Sequence, residues 1–117
     1  MVRLDELKSL QFDIGTTYAD KGTQVPKNFR RYIFYIKITD LAGTTGQVNL
    51  RMRDPTGAVA TTTLDKFRIT TPYETQEWPS GGAKEDSLPL YILEGSTYLQ
   101  ASAYGTVSAL ILYADRP

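Results

Sequence analysis

The sequence predicts an all-β fold, an antiparallel β-sandwich of about seven or eight strands with a jelly-roll-like arrangement. Short segments alternate between apolar and polar residues, and turn residues separate these segments every eight to fifteen positions. No stretch keeps a 3.6-residue apolar period for more than two turns. Tyr, Phe and Thr are frequent, which is typical of half-buried strands.

The first strand is predicted to begin at Ser9, because the apolar side chains of Leu10, Phe12 and Ile14 alternate there with polar ones. Residues 1–8 are polar and are expected to form a short turn or a loose arm. Residues 9–117 are expected to form a single sandwich domain. Residues 15–28 are rich in Gly, Thr and Lys and are predicted to be a loop.

Residues 29–39 (FRRYIFYIKIT) give the strongest strand signal. Alternation places Tyr32, Phe34, Ile36 and Ile38 on one face. The other face is also apolar in the middle, so we expect a central strand that is covered on both sides.

Three further strands are predicted after this one, at residues 47–53, 58–63 and 65–70, and the last either continues the one before it or pairs separately. Val48, Leu50 and Met52 are expected to face inward, and the sequence Asp54-Pro-Thr-Gly57 suits a type I turn. Residues 29–69 therefore read as an antiparallel meander.

A long loop is predicted at residues 71–88, since this segment contains two prolines, a Gly-Gly pair and a cluster of charges. Short strands follow at 89–93, 97–104 and 107–114, and Gly105-Thr106 is expected to be a tight hairpin connection. The expected common core consists of Phe34, Ile36, Val48, Leu50, Leu99 and Ile111.

The composition argues against an enzyme and against a cofactor. The chain has no Cys and no His, so thiolate chemistry and the usual general base near neutral pH are excluded. No Gly-rich phosphate-binding motif occurs. Glu74 and Glu77 could join Glu85 and Asp86 in a calcium site, but no EF-hand spacing supports it, and a solvated loop is the simpler interpretation. We expect no catalytic residues and no metal.

The charge is zero overall but uneven along the chain, with 13 basic and 13 acidic side chains. Residues 21–68 have a net charge of +6 and residues 69–117 a net charge of −4. Either strands from the two halves neutralise each other, or complementary patches meet on different copies or on a partner. For the second case, the basic candidates are Arg30, Arg31, Arg51 and Arg53, with the first two and the last two on neighbouring strands. The acidic candidates are Glu74, Glu77, Glu85 and Asp86.

Two aromatic residues in the predicted loop are further interface candidates, namely Tyr73 and Trp78. Trp78 could anchor a partner or stack on a sugar, or it could fold back and plug one end of the sandwich. Tyr98, Gln100, Ser102 and Tyr104 alternate on one strand face and could form a flat sugar-binding platform, or pack against a neighbouring strand or subunit.

The order of strands and turns resembles that of small β-sandwich proteins of tailed bacteriophages, which decorate heads or act as auxiliary virion proteins. The resemblance covers roughly 70 residues: RYIFYIKIT at 31–39, QVNLRMR at 47–53, and SLPLYIL followed by EGS and YLQASAYGTVSALILYA at 87–114. A segment L-x-x-G-x-x-L-x-A-x-A is typical of that group. It is matched by Leu93, Gly95 or Ser96, Leu99, Ala101 and Ala103.

This resemblance implies a structural virion protein at the capsid surface, soluble when expressed alone. Its partners would be the major capsid protein or other virion proteins, and the chain would form a homo-oligomer. The charge balance argues against nucleic acid as a partner, and no apolar run approaches the length of a membrane span. One alternative is a carbohydrate-binding or receptor-binding module, and a second is a tail or neck adaptor.

Overall fold

The computed structural model describes residues 3–57 and 60–117. In these ranges, nine strands follow a short 3-10 helix at Leu4–Glu6. They are β1 (Lys8–Ile14), β2 (Ala19–Lys21), β3 (Arg30–Asp40), β4 (Gly46–Arg53), β5 (Thr62–Ile69), β6 (Thr75–Trp78), β7 (Tyr91–Leu93), β8 (Tyr98–Ala103) and β9 (Val107–Arg116). Within these two described ranges, no helix has the length and apolar character needed to cross a bilayer.

The strands form two antiparallel sheets packed as a sandwich, which confirms the predicted fold class. Sheet A has the order β1-β9-β3-β6, with β7 also paired to β3, and sheet B has the order β2-β8-β4-β5. Strand β6 pairs with the second half of β3 and β7 with its first half, so together they act as one interrupted strand. The first four strands pair in order with the last five: β1 with β9, β2 with β8, β3 with β7 and β6, and β4 with β5. This is the pairing of a long antiparallel ribbon rolled into the jelly-roll topology.

The main core lies between the sheets. Val48, Leu50 and Met52 of β4 face inward as predicted, and so do Leu99 and Ala101 of β8. Five of the six expected core residues belong to this cluster. The sixth, Phe34, is buried elsewhere, in a second small cluster with Leu7, Tyr32 and Ala114.

A β-bulge explains why Phe34 leaves the core. The register between β3 and β9 shifts between Ile33 and Tyr35, so Phe34 is an extra residue on β3. Before the bulge Ile33 lies in the main core, and after it Ile36 and Ile38 do. The expectation that Tyr32, Phe34, Ile36 and Ile38 share one face is therefore wrong.

Two predicted connections are also wrong. Strand β3 lies in sheet A whereas β4 and β5 lie in sheet B, so residues 29–69 are not a meander. Likewise Gly105-Thr106 joins β8 in sheet B to β9 in sheet A and is a crossing between the layers, not a hairpin. In both cases alternation identifies the strand but carries no information on its partner.

Three predicted segments differ in part from the structure. The predicted loops at 15–28 and 71–88 contain β2 and β6 respectively. Residues 62–69 form one continuous strand, which decides between the two alternatives left open for 58–63 and 65–70; Ala58 and Val59 lie outside the described residues.

The N-terminal segment is held against its own chain where it is described. Glu6 pairs with Arg116 at 2.6 Å, the backbone N–H of Leu4 donates to Glu85, and Leu7 packs beside Phe34. Met1 and Val2 lie outside the described residues.

Candidate functional site

Four connections meet at one end of the sandwich, around the last residue of β3, Asp40. This carboxylate is completely buried. Its Oδ1 accepts hydrogen bonds from the Ala42 N–H at 3.1 Å and the Tyr104 hydroxyl at 2.6 Å. Its Oδ2 accepts from the Gly43 N–H at 2.9 Å and the Tyr73 N–H at 2.8 Å. One side chain thus ties together the β3–β4, β5–β6 and β8–β9 connections.

The fourth connection, between β1 and β2, is fixed nearby by a hydrogen bond from the Ala103 N–H to the Gly15 carbonyl at 2.8 Å. We call this group of connections the Asp40 loop end. Burial alone would raise the pKa of Asp40, but the bonds from Tyr104 and from the three backbone N–H groups outweigh it and hold the pKa below its ordinary value. Asp40 is therefore ionised, and its carboxylate fixes the loops that surround it.

Two large apolar side chains are exposed at the Asp40 loop end. Tyr73 is 69% exposed and Leu41 is 51% exposed. Tyr73 has a φ of +60°, a left-handed conformation that is unusual for an aromatic residue. Its backbone N–H is fixed by Asp40, and a Cβ added to Gly43 would lie only 2.6 Å from its hydroxyl oxygen. The loops therefore present both side chains on a constrained backbone.

Glu74 braces the same turn. It was an acidic interface candidate, and the structure gives it internal partners. Its Oε1 accepts from the backbone N–H groups of Thr70 at 2.9 Å and Thr71 at 3.1 Å, and its Oε2 accepts from Gln76. The bonds from Gln76 and the Thr70 backbone hold the pKa of Glu74 below its usual value. Glu74 fixes the turn that carries Tyr73.

Arg31, predicted on a basic surface, is only 3% exposed. Its guanidinium makes two parallel bonds to Asp115, at 2.8 and 2.9 Å, and donates to the Thr23 carbonyl at 2.9 Å. The same group lies 4.5 Å from the centre of the Tyr113 ring. Every part of the guanidinium is engaged within the chain, so Arg31 stabilises the fold and is not a surface candidate.

The other three arginines also have partners in the chain. Arg30 pairs with Glu94 at 3.2 Å, and Arg53 pairs with Asp20 at 2.7 Å. Arg51 donates to Gln100 and stacks over the Tyr18 ring at 3.6 Å.

The two arginine pairs do not form one basic surface, because Arg30 and Arg31 lie in sheet A and Arg51 and Arg53 in sheet B. The expectation of neighbouring basic strands is wrong. Arg30–Glu94 and Arg31–Asp115 join the positive and the negative parts of the chain. The uneven charge along the sequence is therefore at least partly neutralised by internal pairing.

The expected sugar platform is not assembled. Trp78 packs on Phe67, with ring centres 4.5 Å apart, and lies against the main core. Of the candidate platform on β8, Gln100 and Ser102 are buried, and the Tyr104 hydroxyl belongs to Asp40. Trp78 therefore folds back onto the core, as in the second of the two roles considered for it, but it covers the edge between β5 and β6 and not one end of the sandwich.

The remaining acidic candidates do not form a cation site. Glu77 accepts from the Tyr35 hydroxyl, which lowers the pKa of Glu77, while burial and this bond raise the pKa of Tyr35 to about 12. Glu85 caps the Leu4 N–H. Asp86 lines a cleft of about 290 Å³ against Tyr32 and Phe34 at the other end of the molecule. In the described part of the chain, no three acidic side chains are grouped as a metal would require.

The arrangement at the Asp40 loop end consists of exposed apolar side chains on fixed loops. The chain matches no protein-family model and no curated protein. Sequence reasoning identified Tyr73 but missed Asp40 and Leu41. An Asp that begins a Gly-containing turn is a recognisable local signal. The contacts of Asp40 with Tyr73 and Tyr104 could not be predicted, because both residues are distant from it in the sequence.

Proposed function

We propose that this chain is a structural virion protein that attaches to the capsid by protein–protein contact, as a decoration or auxiliary head protein. The proposal joins the sequence resemblance described above to the jelly-roll topology, an architecture used by viral capsid proteins. The observation that carries it is the Asp40 loop end, where Tyr73 and Leu41 are exposed on loops that a buried carboxylate holds in place. The partner is the major capsid protein or another virion protein.

A preorganised aromatic side chain is the kind of group that anchors protein interfaces. Tyr contributes a large contact area, and burying it on a partner costs little conformational entropy when its backbone is already fixed. Asp40 fixes the backbone of Tyr73, and Glu74 fixes the turn before it. The same surface could serve a tail or neck adaptor, which would differ only in its virion partner.

The carbohydrate-binding alternative has less support. Its candidate aromatic residues are separated, because Trp78 lies on the core edge and Tyr104 is bound to Asp40. Tyr98 is half-buried beside Arg53, whose guanidinium lies 5.2 Å from the ring centre. No two of these rings share an open platform.

The test is co-sedimentation of the purified chain with phage heads and, separately, with tails that lack it. Tyr73→Asn removes the ring but tolerates a left-handed backbone, so the fold should persist. We expect this variant to bind heads about 30-fold more weakly. The matched control is Leu88→Ser, which removes an apolar side chain that is 85% exposed at the opposite end.

Head binding that is lost with Tyr73→Asn and kept with Leu88→Ser supports the proposal. Binding to tails alone would favour the adaptor. Binding to neither, with a signal on a glycan array, would replace the proposal by the carbohydrate-binding module. Head binding that is insensitive to Tyr73→Asn would refute the proposed contact.

A further inference from the structure

The outer face of sheet B, which points away from the main core, is polar and positively charged. The apolar residues of β4 and β5 lie in the core, so alternation turns the residues between them outward. Four of these outward side chains are cations, and we call them the cationic face: Arg51 and Arg53 of β4, and Lys66 and Arg68 of β5. The register of the two strands spreads them along the sheet over roughly 20 Å, from Arg68 near the Asp40 loop end to Arg53.

Positive charge dominates this face. The four strands of sheet B, all of which are described, contain two carboxylates, Asp20 and Asp65. Asp20 binds Arg53 on the outer side. Asp65 lies on the inner side, where it accepts a hydrogen bond from Tyr91 of sheet A. One outward carboxylate and four cations give a net charge of +3, and since the whole chain is neutral, all other residues together carry −3.

Arg51 is held in a position from which it can bind an anion. Its Nε donates to Gln100 at 2.9 Å, and its guanidinium lies 3.6 Å from the centre of the Tyr18 ring. Gln100 is itself fixed, since it donates to Asp20 at 2.7 Å. The two terminal nitrogens of Arg51 have no hydrogen-bond partner among the described residues, and they are spaced to donate two parallel bonds to a carboxylate. Binding there costs little conformational entropy, because the side chain is already ordered.

Lys66 and Arg68 are the cations of this face that the chain does not neutralise. Both are exposed, and in the described residues no carboxylate lies within 4 Å of either side chain. By contrast, Arg30, Arg31 and Arg53 each pair with a carboxylate. Lys66 and Arg68 are therefore available to a partner.

Gln76 connects this end of the cationic face to the turn that carries Tyr73. Its Nε2 donates to the backbone carbonyl of Arg68 at 2.7 Å and to Glu74 at 2.8 Å. Glu74 accepts in turn from two backbone N–H groups of the same turn. The exposed aromatic side chain and the unpaired cations are thus held next to each other, so one partner surface can contact both.

The charge distribution indicates which kind of anionic partner fits. A long polyanion such as nucleic acid acts on the whole of a small protein, and here it would also meet the −3 carried by the other residues. An acidic patch on a folded protein meets the cationic face alone, because docking fixes its orientation. The observations therefore favour carboxylates on a protein surface over phosphates along a polymer.

We propose that the cationic face binds a carboxylate-rich surface of a protein partner, and that this contact is continuous with the one made by Tyr73. Its use in the virion rests on the function proposed above, and it adds that the virion surface beside Tyr73 is acidic. Lys66 and Arg68 supply the charge nearest Tyr73, and Arg51 supplies an ordered guanidinium further along the sheet.

The first test is co-sedimentation of the full chain with phage heads that lack it, at about 0.05 and 0.5 M NaCl. The double variant Lys66→Glu with Arg68→Glu should bind at least about tenfold more weakly at low salt, and the difference should shrink at high salt, which screens exposed charges. The matched control is Lys27→Glu with Lys84→Glu, which makes the same change in net charge at exposed loop positions outside sheet B. Thermal melts verify that both variants fold.

Weaker head binding by the first variant alone supports the cationic face, and equal binding by the two variants overturns it. Binding that is lost with Tyr73→Asn but unchanged by the charge reversal contradicts only this inference. If no virion part binds, the proposed function fails, and fluorescence anisotropy with labelled poly-L-glutamate decides the cationic face separately. Binding that the Lys66 and Arg68 reversal weakens then supports it. No binding, or tighter binding of single-stranded DNA of equal charge, overturns it.

Discussion

Asp40 shows how one buried charge can be satisfied entirely by neighbouring donors. Its two oxygens accept four hydrogen bonds, three from backbone N–H groups and one from Tyr104. A neutral side chain of the same shape could not accept all four, because an amide has only one oxygen. The ordering of the loop end therefore depends on a carboxylate at this position.

We predict that Asp40→Asn lowers the melting temperature by roughly 10 °C at pH 7, because buried N–H donors lose their acceptor. The loss should shrink at pH 3, below the unfolded pKa of about 3.9, because the unfolded wild-type chain then binds a proton that the folded carboxylate resists. Circular dichroism melts at both pH values measure this. The control is Asp13→Asn, a substitution at an exposed position of β1. An equal effect of the two variants would contradict the structural role of the Asp40 carboxylate.

Arg31 and Asp115 form a buried ion pair, with side chains that are 3% and 13% exposed. We predict that Arg31→Met destabilises the protein by about 3 kcal/mol, since it leaves the Asp115 carboxylate buried without a partner. Arg31→Lys should recover little, because an ammonium does not reproduce the two parallel bonds.

Urea denaturation of Arg31→Met, Asp115→Leu and the double variant measures this pair. The double variant should be more stable than Arg31→Met alone, because no charge is then left unpaired. A loss below about 0.5 kcal/mol for Arg31→Met would place the arginine at the surface after all.

At the scale of elements, the bulge in β3 divides the strand between two clusters. Phe34 packs in the small outer cluster, whereas Leu50 lies in the main core. We predict that Phe34→Ala lowers the free energy of unfolding by about 2 kcal/mol and Leu50→Ala by about 4 kcal/mol. The difference is expected because fewer side chains surround Phe34 in the small outer cluster, so its removal leaves a smaller enclosed cavity. Urea denaturation compares them, and a larger loss for Phe34→Ala would contradict the separation of the clusters.

Most of the strands that the sequence predicted have a long alternating pattern, and the exception is the three-residue β7, which was predicted from the short apolar run at 89–93. Strands β1, β3, β4, β8 and β9 each have at least six residues, and local side-chain chemistry is enough to identify them. Strands β2 and β6 have three and four residues and are largely polar, so they become strands only by pairing with β8 and β3.

The sheet partners and the bulge could not be predicted for a related reason. Alternation describes one strand and is silent about its neighbours, so β3 and β4 were expected side by side although they lie in different sheets. A bulge inverts the alternation at one residue, and Phe34 is as apolar as its neighbours. The prediction that the arginines form a basic surface was wrong because their partners, such as Asp115, are distant in sequence and could not be identified from it.

At the scale of the whole molecule, the titrating groups are expected to keep the stability constant over a wide range of pH. Hydrogen bonds hold the pKa values of Asp40, Glu74 and Glu77 below normal, so their stabilisation is complete above the unfolded values and is lost as the pH falls through the folded ones. Tyr35, with a pKa of about 12, behaves in the opposite sense. Its stabilisation is complete below about pH 10 and is lost as the pH rises toward 12.

We therefore predict a melting temperature that is constant within about 2 °C from pH 5 to pH 9, since the chain has no His or Cys to titrate between these limits. It should fall below about pH 4 and above about pH 10. Calorimetry across buffers of equal ionic strength would measure this. A steep change of the melting temperature near pH 6.5 would contradict this prediction. It would require a carboxylate with a strongly raised pKa, whereas those described above have lowered pKa values.

The interrupted strand beside β3 makes this fold a candidate scaffold for peptide display. Strands β6 and β7 pair independently with β3, and the segment between them includes Gly81 and Gly82, around which a Cβ would meet no atom within 4 Å. A ten-residue epitope inserted between these two glycines should leave both ladders intact and change the melting temperature by less than about 3 °C. The same epitope after Gly43 would enter the loop held by Asp40 and should cost far more, which thermal melts and antibody capture would reveal together.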